Sequence, residues 1–375
     1  MKIAYFVHDY HRHGGHSRYV AELASRFKKN HEVHVFANKW DEPDPIGIKF
    51  HKVPALSNRE LLKVLTFVLP ATWLASRNFD IIHSQGLCGL RHDVTTAHFI
   101  QSVWLRELKE RGQKPSNFIW LWKYLVSPLE RYALGPKCSK RVIAISKKNI
   151  KDLKNEYKIG NNVDLIYHGV DLEKFHPKKH QIYRKIVRQE LNIPNNAFVA
   201  LFAGNLQKGA AAAIRAIANV KNAYLVLVSG SENSKEKQIT QDLQIQNQII
   251  WIPKSNQIEK YFLAVDCFVF PTVYEPFGMV ISEAMASGLP VITSREAGAA
   301  DLIRHGETGF LVDEPWNYHK IGQHIDWLMN NRESAKMIGQ LARKAIEPFT
   351  WDKCAQDTLA CYQMILNEKW KIKSR

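Results

Sequence analysis

Short apolar runs rich in β-branched residues alternate with helical patterns along nearly all of this chain, and that alternation limits the fold more than any other feature. In residues 1–177 the runs are "KIAYFV", "EVHVFA", "FDIIHS", "DVTTAHF", "RVIAIS" and "VDLIYHG". Between several of them lie stretches such as "SRYVAELASRFKK", with apolar residues three and four apart. The second half repeats the scheme with "FVALFAG", "AYLVLVSG", "QIIWIP", "DCFVFPT", "PVITS" and "GFLV". Strands that alternate with helices build parallel sheets covered on both faces. A chain of 375 residues exceeds one ordinary core. Two series therefore predict an α/β protein of two doubly wound, Rossmann-like domains facing a cleft, with ligands at the carboxyl ends of the strands. The boundary is expected in "DLEKFHPKKHQIYRK", giving domains at 1–177 and 178–350. Residues 351–375 read as one amphipathic helix with a basic tail, expected to pack back toward the first domain.

Charge is the informative bulk property. Of 52 basic and 36 acidic residues, 28 and 17 fall in residues 1–177, and residues 106–148 alone hold 11 basic against 3 acidic. Such a surface attracts phosphates, whether of nucleic acid, anionic lipid or nucleotide. The opening "MKIAYFVHDY" lacks the basic stretch and cleavage site of a signal peptide. The longest apolar run, "LLKVLTFVLPATWLA", is too short to span a bilayer and contains Lys63 and Pro70. Five cysteines without a CxxC pair fit reduced, structural thiols in a cytoplasmic protein.

Four stretches at strand ends carry the candidate chemistry. In "HDYHRHGGHS", Gly14 and Gly15 allow close approach of a ligand, and a helix starting near Ser17 directs free N–H groups at the loop. His8, His11, His13 and His16 crowd that loop, with only Asp9 nearby as a carboxylate, so a polar site wall is preferred to a metal site. In "TTAHFIQS", His98 ends a strand, where it can contact a sugar hydroxyl or a phosphate and titrate near neutral pH, or be merely structural. In "LFAGNLQKGAAAAIRA", Lys208 precedes a helix, a pairing of point charge and oriented amides suited to a diphosphate. The fourth stretch is "EPFGMVISEAMASGLPV". Here Glu275 stands in a turn, the amides of Phe277, Gly278, Met279 and Val280 open a helix, and Glu283 lies within it. Carboxylates beside an anion site make sense as acceptors for sugar hydroxyls; otherwise they are ordinary surface glutamates.

At these residues the sequence resembles glycosyltransferase family 4, the retaining GT-B enzymes that include lipopolysaccharide-core and phosphatidylinositol mannosyl transferases. The resemblance rests on "EPFGMVISEAMASGLPVITSREAGAADLIRHGETGFLV", with "HGGHSRYVAELA", "VIAISKKNIKDL", "LIYHGVDLEKFHP" and "AGNLQKGA" in support. It implies transfer of a sugar from a nucleotide-sugar, a UDP-sugar by family frequency, with the anomeric configuration kept. Glu283 would bind the ribose, and Glu275 the transferred sugar. The amides of Phe277 to Val280 would hold sugar and pyrophosphate, Lys208 would neutralise the leaving diphosphate, Gly15 would approach it, and His98 would contact the sugar. Neither a cofactor nor a metal ion is implied. Where the family usually has an arginine, this chain has Asn205, so one of two diphosphate cations is replaced.

Two other functions compete. A nucleotide-sugar epimerase of the same architecture would need acid and base groups around the sugar. A nucleic-acid binder is favoured by charge alone, shows no recognisable module and leaves Glu275 and Glu283 unexplained. The segment from Trp104 to Lys148 combines its basic excess with Trp104, Phe118, Trp120, Trp122 and Tyr124. These aromatics read either as a core helix or as an interfacial one. The charge favours the second, and with it peripheral attachment to an anionic membrane near a glycan or lipid-linked acceptor.

Overall fold

A computed structural model describes the chain except residues 13, 42–45, 57, 76–78, 111–118 and 374–375. Two units emerge, one formed by Met1–Gly169 with Trp351–Arg375, the other by Val170–Thr350.

The first unit is a seven-stranded parallel sheet. Its strands are β1 (Lys2–Phe6), β2 (Glu32–Ala37), β3 (Ile48–Lys52), β4 (Ile81–Gln85), β5 (Val94–Ala97), β6 (Arg141–Ala144) and β7 (Val163–Leu165), in the order β3-β2-β1-β4-β5-β6-β7. The reversal beside β1 puts β1 and β4 at the switch point, where a doubly wound sheet opens a crevice at its strand ends. Helices α1 (Gly15–Phe27), α2 (Glu60–Leu74), α3 (Gln101–Glu110) and α4 (Ser127–Leu134) belong to this unit. The apolar run from Leu61 is α2, with Pro70 inside it. Among the described residues no helix is long and apolar enough to cross a membrane. Strand β3 was not expected. Its "IKFHK" alternates polar and apolar residues at the sheet edge, a pattern weaker than the continuous apolar runs of the central strands.

The second unit is a six-stranded parallel sheet. It comprises β8 (Phe198–Ala203), β9 (Ala223–Ser229), β10 (Ile249–Pro253), β11 (Cys267–Phe270), β12 (Val291–Ser294) and β13 (Phe310–Val312), ordered β10-β9-β8-β11-β12-β13. All of its strands were expected from sequence. β8 and β11 are buried at every position, as strands covered on both faces must be. After β8 comes α5 (Ala210–Ala218), and after β11 comes α6 (Met279–Ala286).

The chain then returns to the first unit through α7 (Trp351–Lys373), which packs on α1. Tyr362, fully buried, sets its hydroxyl 3.0 Å from that of Tyr5 and 2.6 Å from His83 Nδ1. The passage between units falls at Gly169 and Val170, not after residue 177. Val170 donates to the Phe349 carbonyl at 3.0 Å, which ties the start of the second unit to its end. All five cysteines are buried free thiols.

Candidate functional site

In the second unit, the loops after β8 and β11 meet. Gly209 lies at φ +111°, and a Cβ there would stand 2.3 Å from the Pro271 carbonyl oxygen, so only glycine permits this approach. The close passage brings Lys208 to Glu275, and its ammonium donates to Glu275 Oε2 in an ion pair. Asn205, exposed, caps the turn at Leu206–Lys208 by accepting the Gln207 N–H at 2.9 Å. Its oxygen is engaged in shaping the loop that carries Lys208, a role the family's arginine cannot fill in this way.

The turn before α6 is held from behind. Glu275 bridges to Ala297, its carbonyl accepts the Gly298 N–H at 2.8 Å, and the Phe277 carbonyl accepts that of Ala299 at 2.7 Å. Gly278, at φ +93°, turns the chain into α6. The first-turn amides of α6, at Met279 and Val280, have no partner within the helix, and the positive end of its dipole lies there. Glu283 lies within α6 and is only 4% exposed. Neither glutamate is an ordinary surface side chain, since the Glu275 side chain is 16% exposed and ion-paired.

In the first unit, Gly14 adopts φ +90° and its carbonyl accepts the Arg18 N–H at 3.2 Å, which starts α1. Gly15 has open space where a Cβ would stand. His98 is buried, and burial, reinforced by His16, His168 and His83, holds its pKa well below the usual histidine range. The expectation of titration near neutral pH is therefore corrected: the ring is neutral. Nε2 donates to Gln85 Oε1 at 2.7 Å, which leaves Nδ1 as an acceptor without a partner among the described residues. His16 stacks on His98 at 4.7 Å, while His8 turns to Cys88 Sγ at 3.3 Å. His13 lies outside the described residues. Among the described residues no three histidine, cysteine or carboxylate groups converge as metal ligands.

Beside His98 opens a cavity of about 530 Å³, at the ends of β1, β4 and β5 and lined partly by Trp104, Trp122, Gln101 and Glu130. Gln85 Nε2 and Gln101 Nε2, both buried, have no hydrogen-bond partner among the described residues. With His98 Nδ1 they form a set of unsatisfied donors and an acceptor around one space, a pattern that a ligand bearing hydroxyls completes. Glu130 Oε2 accepts from the Gln101 N–H at 2.8 Å and from the Tyr157 hydroxyl. Burial pushes Glu130 up to about 7. Lys63 is held by Asp9 at 2.7 Å and Glu60 at 3.0 Å. None of Gln85, Gln101 or Glu130 stood out in the sequence. They are ordinary residues of "IIHSQG", "FIQS" and "PLERY", and only packing puts them around one cavity.

The aromatic segment divides. Trp104 and Trp122 turn inward, their rings 6.3 Å apart, and line the cavity. Trp120 and Tyr124 face outward, the latter 68% exposed. The π-helical turn Trp122–Val126 and α4 pack on α2 through Val68, Val126 and Ala133, so part of the segment is core, as one reading expected, and part is exposed. Phe118 lies outside the described residues.

Two doubly wound parallel sheets, the second with an anion-ready helix start after its fourth strand, are the architecture of the GT-B class. The model for glycosyltransferase family 4 matches residues 13–174, and that for glycosyl transferases group 1 matches residues 184–345. The chain belongs to this family. It is 26% identical to an uncharacterized glycosyltransferase of Methanocaldococcus jannaschii, over 98% of this chain and 99% of that one. It is also 26% identical to a D-inositol 3-phosphate glycosyltransferase of Pseudarthrobacter chlorophenolicus, over 93% and 90%. Among solved structures, WaaG, a glycosyltransferase involved in lipopolysaccharide biosynthesis, superposes with a TM-score of 0.79 at 20% identity, over 96% of this chain and 98% of that one. HepE of Anabaena in complex with UDP-glucose gives 0.72 at 20% identity, over 99% and 100%.

Proposed function

We propose that this glycosyltransferase moves a sugar from a UDP-sugar to a glycan or lipid-linked acceptor of the cell envelope, as in lipopolysaccharide biosynthesis, with retention and without a metal ion. The observation that carries the reading is the Lys208–Glu275 pair beside the start of α6, with Glu283 buried one turn further on. The bond from the anomeric carbon to the diphosphate oxygen breaks, and one from that carbon to the acceptor oxygen forms on the same face. The acceptor proton passes to a diphosphate oxygen. Lys208 and the amides of Phe277 to Val280 hold the departing charge, which is the main catalytic task when no protein nucleophile takes part. Glu275 accepts from the transferred sugar and Glu283 from the ribose. Gly14 and Gly15 give the diphosphate room, and Asn205 shapes the Lys208 loop.

The cavity beside His98 supports the acceptor side, because its unsatisfied amides and imidazole nitrogen match hydroxyls, and Trp104 and Trp122 match a sugar face or an apolar chain. Attachment to the inner face of the cytoplasmic membrane is supported by Trp120, Tyr124 and Leu125 and by Leu69 and Trp73 of α2, all exposed, with Lys123 and Arg131 among them. Purified protein should release UDP slowly from a UDP-sugar without acceptor, equally with EDTA, and much less as Glu275→Ala. Failure to turn over any UDP-, GDP- or ADP-sugar, or activity abolished by EDTA and restored by manganese, would overturn the reading.

A further inference from the structure

The basic excess of residues 106–148 is not used up by the donor and acceptor chemistry. Part of it converges on a second cavity of the first unit, about 420 Å³ in volume. Ile82 and Asp93 line it, at the amino ends of β4 and β5, whereas Gln85 and His98 stand at the carboxyl ends of the same strands. The two cavities thus open at opposite strand ends of one sheet, and a ligand in this one does not meet the groups around His98.

Four cations line it: Arg91, Lys137, Lys140 and Lys369. The carboxylate facing them is Asp93, and it is already committed. Its Oδ1 accepts from Lys369 at 2.7 Å, with Lys140 at 3.8 Å, and its Oδ2 accepts the Ile82 N–H at 3.0 Å. Arg91 and Lys137 are exposed and make no ion pair among the described residues. An independent observation comes from His92, which is more than nine-tenths buried and lines the same cavity. Neither of its ring nitrogens makes a well-formed hydrogen bond among the described residues, and the nearest acceptor is the Ala133 carbonyl beside the ring. Burial pushes His92 down to about 4, so the ring is neutral and carries one N–H. A buried donor without a partner next to unpaired cations matches an anion with several acceptor oxygens. Phe79 and Ala75 supply an apolar wall.

We propose that this cavity binds a phosphate monoester, with Arg91 and Lys137 on the phosphate oxygens and His92 donating from beneath. The phosphate belongs either to a soluble metabolite or to a lipid headgroup. Trp73 and Leu74, exposed between Thr72 and Ala75, which line the cavity, stand where a lipid's interfacial region would meet the protein.

Calorimetric titration with glycerol 3-phosphate, run on the Lys208→Ala protein so that the donor site contributes little, tests the soluble source. Co-sedimentation with phosphatidylcholine vesicles containing phosphatidic acid tests the lipid source. Vesicles of equal charge made with a fatty acid show whether the phosphate itself is recognised. Saturable binding to either probe, weakened about tenfold or more by Arg91→Glu with Lys137→Glu, is the expected result. These two side chains are exposed, so the double variant should keep its fold, and donor hydrolysis in an otherwise unaltered chain should stay unchanged. His92→Phe should weaken binding without altering net charge. Binding to neither probe overturns the proposal, as does binding that the double variant leaves intact or that fatty-acid vesicles match. Because donor hydrolysis is measured separately, a negative result here leaves the glycosyl-transfer reading standing.

Discussion

Lys208 and Glu275 neutralise each other across two loops, so the diphosphate of the proposed donor must compete with a carboxylate for the ammonium. Removing Glu275's charge frees the cation. Glu275→Gln should therefore bind UDP more tightly than the parent while turning over more slowly, because the proposed contact to the transferred sugar is weakened. Lys208→Ala leaves a bare carboxylate facing the diphosphate and should lower turnover by about 10²–10³-fold. Adding Glu275→Gln to Lys208→Ala should restore part of the UDP affinity, a coupling that a double-mutant cycle by calorimetry measures. Strict additivity would mean that the pair does not shape the site. Glu130 poses a different question. Its folded pKa of about 7 lies above that of an unfolded glutamate, so the folded chain binds more protons between those values. Stability is then full below the unfolded value and falls as pH rises through 7. Glu130→Gln keeps an oxygen for Tyr157 and for the Gln101 N–H but does not ionise. Between pH 5 and pH 8 it should gain up to about 3 kcal/mol on the parent in urea unfolding. Parallel curves at both pH values would show that Glu130 is not protonated in the fold.

At the scale of elements, the loops are held by glycines whose roles differ. Gly209→Ala forces a Cβ against the Pro271 carbonyl at a positive φ, so the loops after β8 and β11 must part. A loss of about 2–4 kcal/mol in the second unit is expected, together with loss of donor hydrolysis as Lys208 leaves Glu275. Gly15→Ala meets nothing within 4 Å and needs no unusual backbone, so thermal unfolding should be unchanged. Any fall in its activity then measures how closely a ligand passes that backbone. Normal stability in Gly209→Ala would remove the steric reason for glycine there. α2 and α4 show the same division of labour, because Val68 and Ala133 hold them together while Leu69, Trp73 and Tyr132 remain outside.

For the whole molecule, the parallel sheets were legible because central strands covered on both faces leave continuous apolar runs, as in "FVALFAG" and "AYLVLVSG". Edge strand β3 escaped because its polar alternation resembles a loop, and the limit between units because Val170 pairs with Phe349 and Thr350 at the end of the second unit, far along the sequence. The motif around Glu275 was visible since its glycines and carboxylates are adjacent in sequence. The cavity beside His98 was not, for its walls come from the loop after β1 and from α1, β4, α2, α3 and α4. α7 gives the chain its last constraint: the second unit is an insertion between two parts of the first. Trp351 is buried near Tyr19 and His168, and Tyr362 reaches Tyr5 and His83, so the first sheet lacks part of its core until the last residues arrive. Residues 170–350 expressed alone hold a complete sheet with both faces covered and should unfold cooperatively. Residues 1–169 alone expose the surface that Trp351 and Tyr362 cover. Loss of one such aromatic from a core costs about 3–5 kcal/mol, a large share of a domain's total stability. That fragment should therefore show no cooperative unfolding by circular dichroism, and a synthetic peptide of residues 351–375 added in trans should restore it. Cooperative unfolding of residues 1–169 without the peptide would mean that α7 merely rests on a sheet that is already complete.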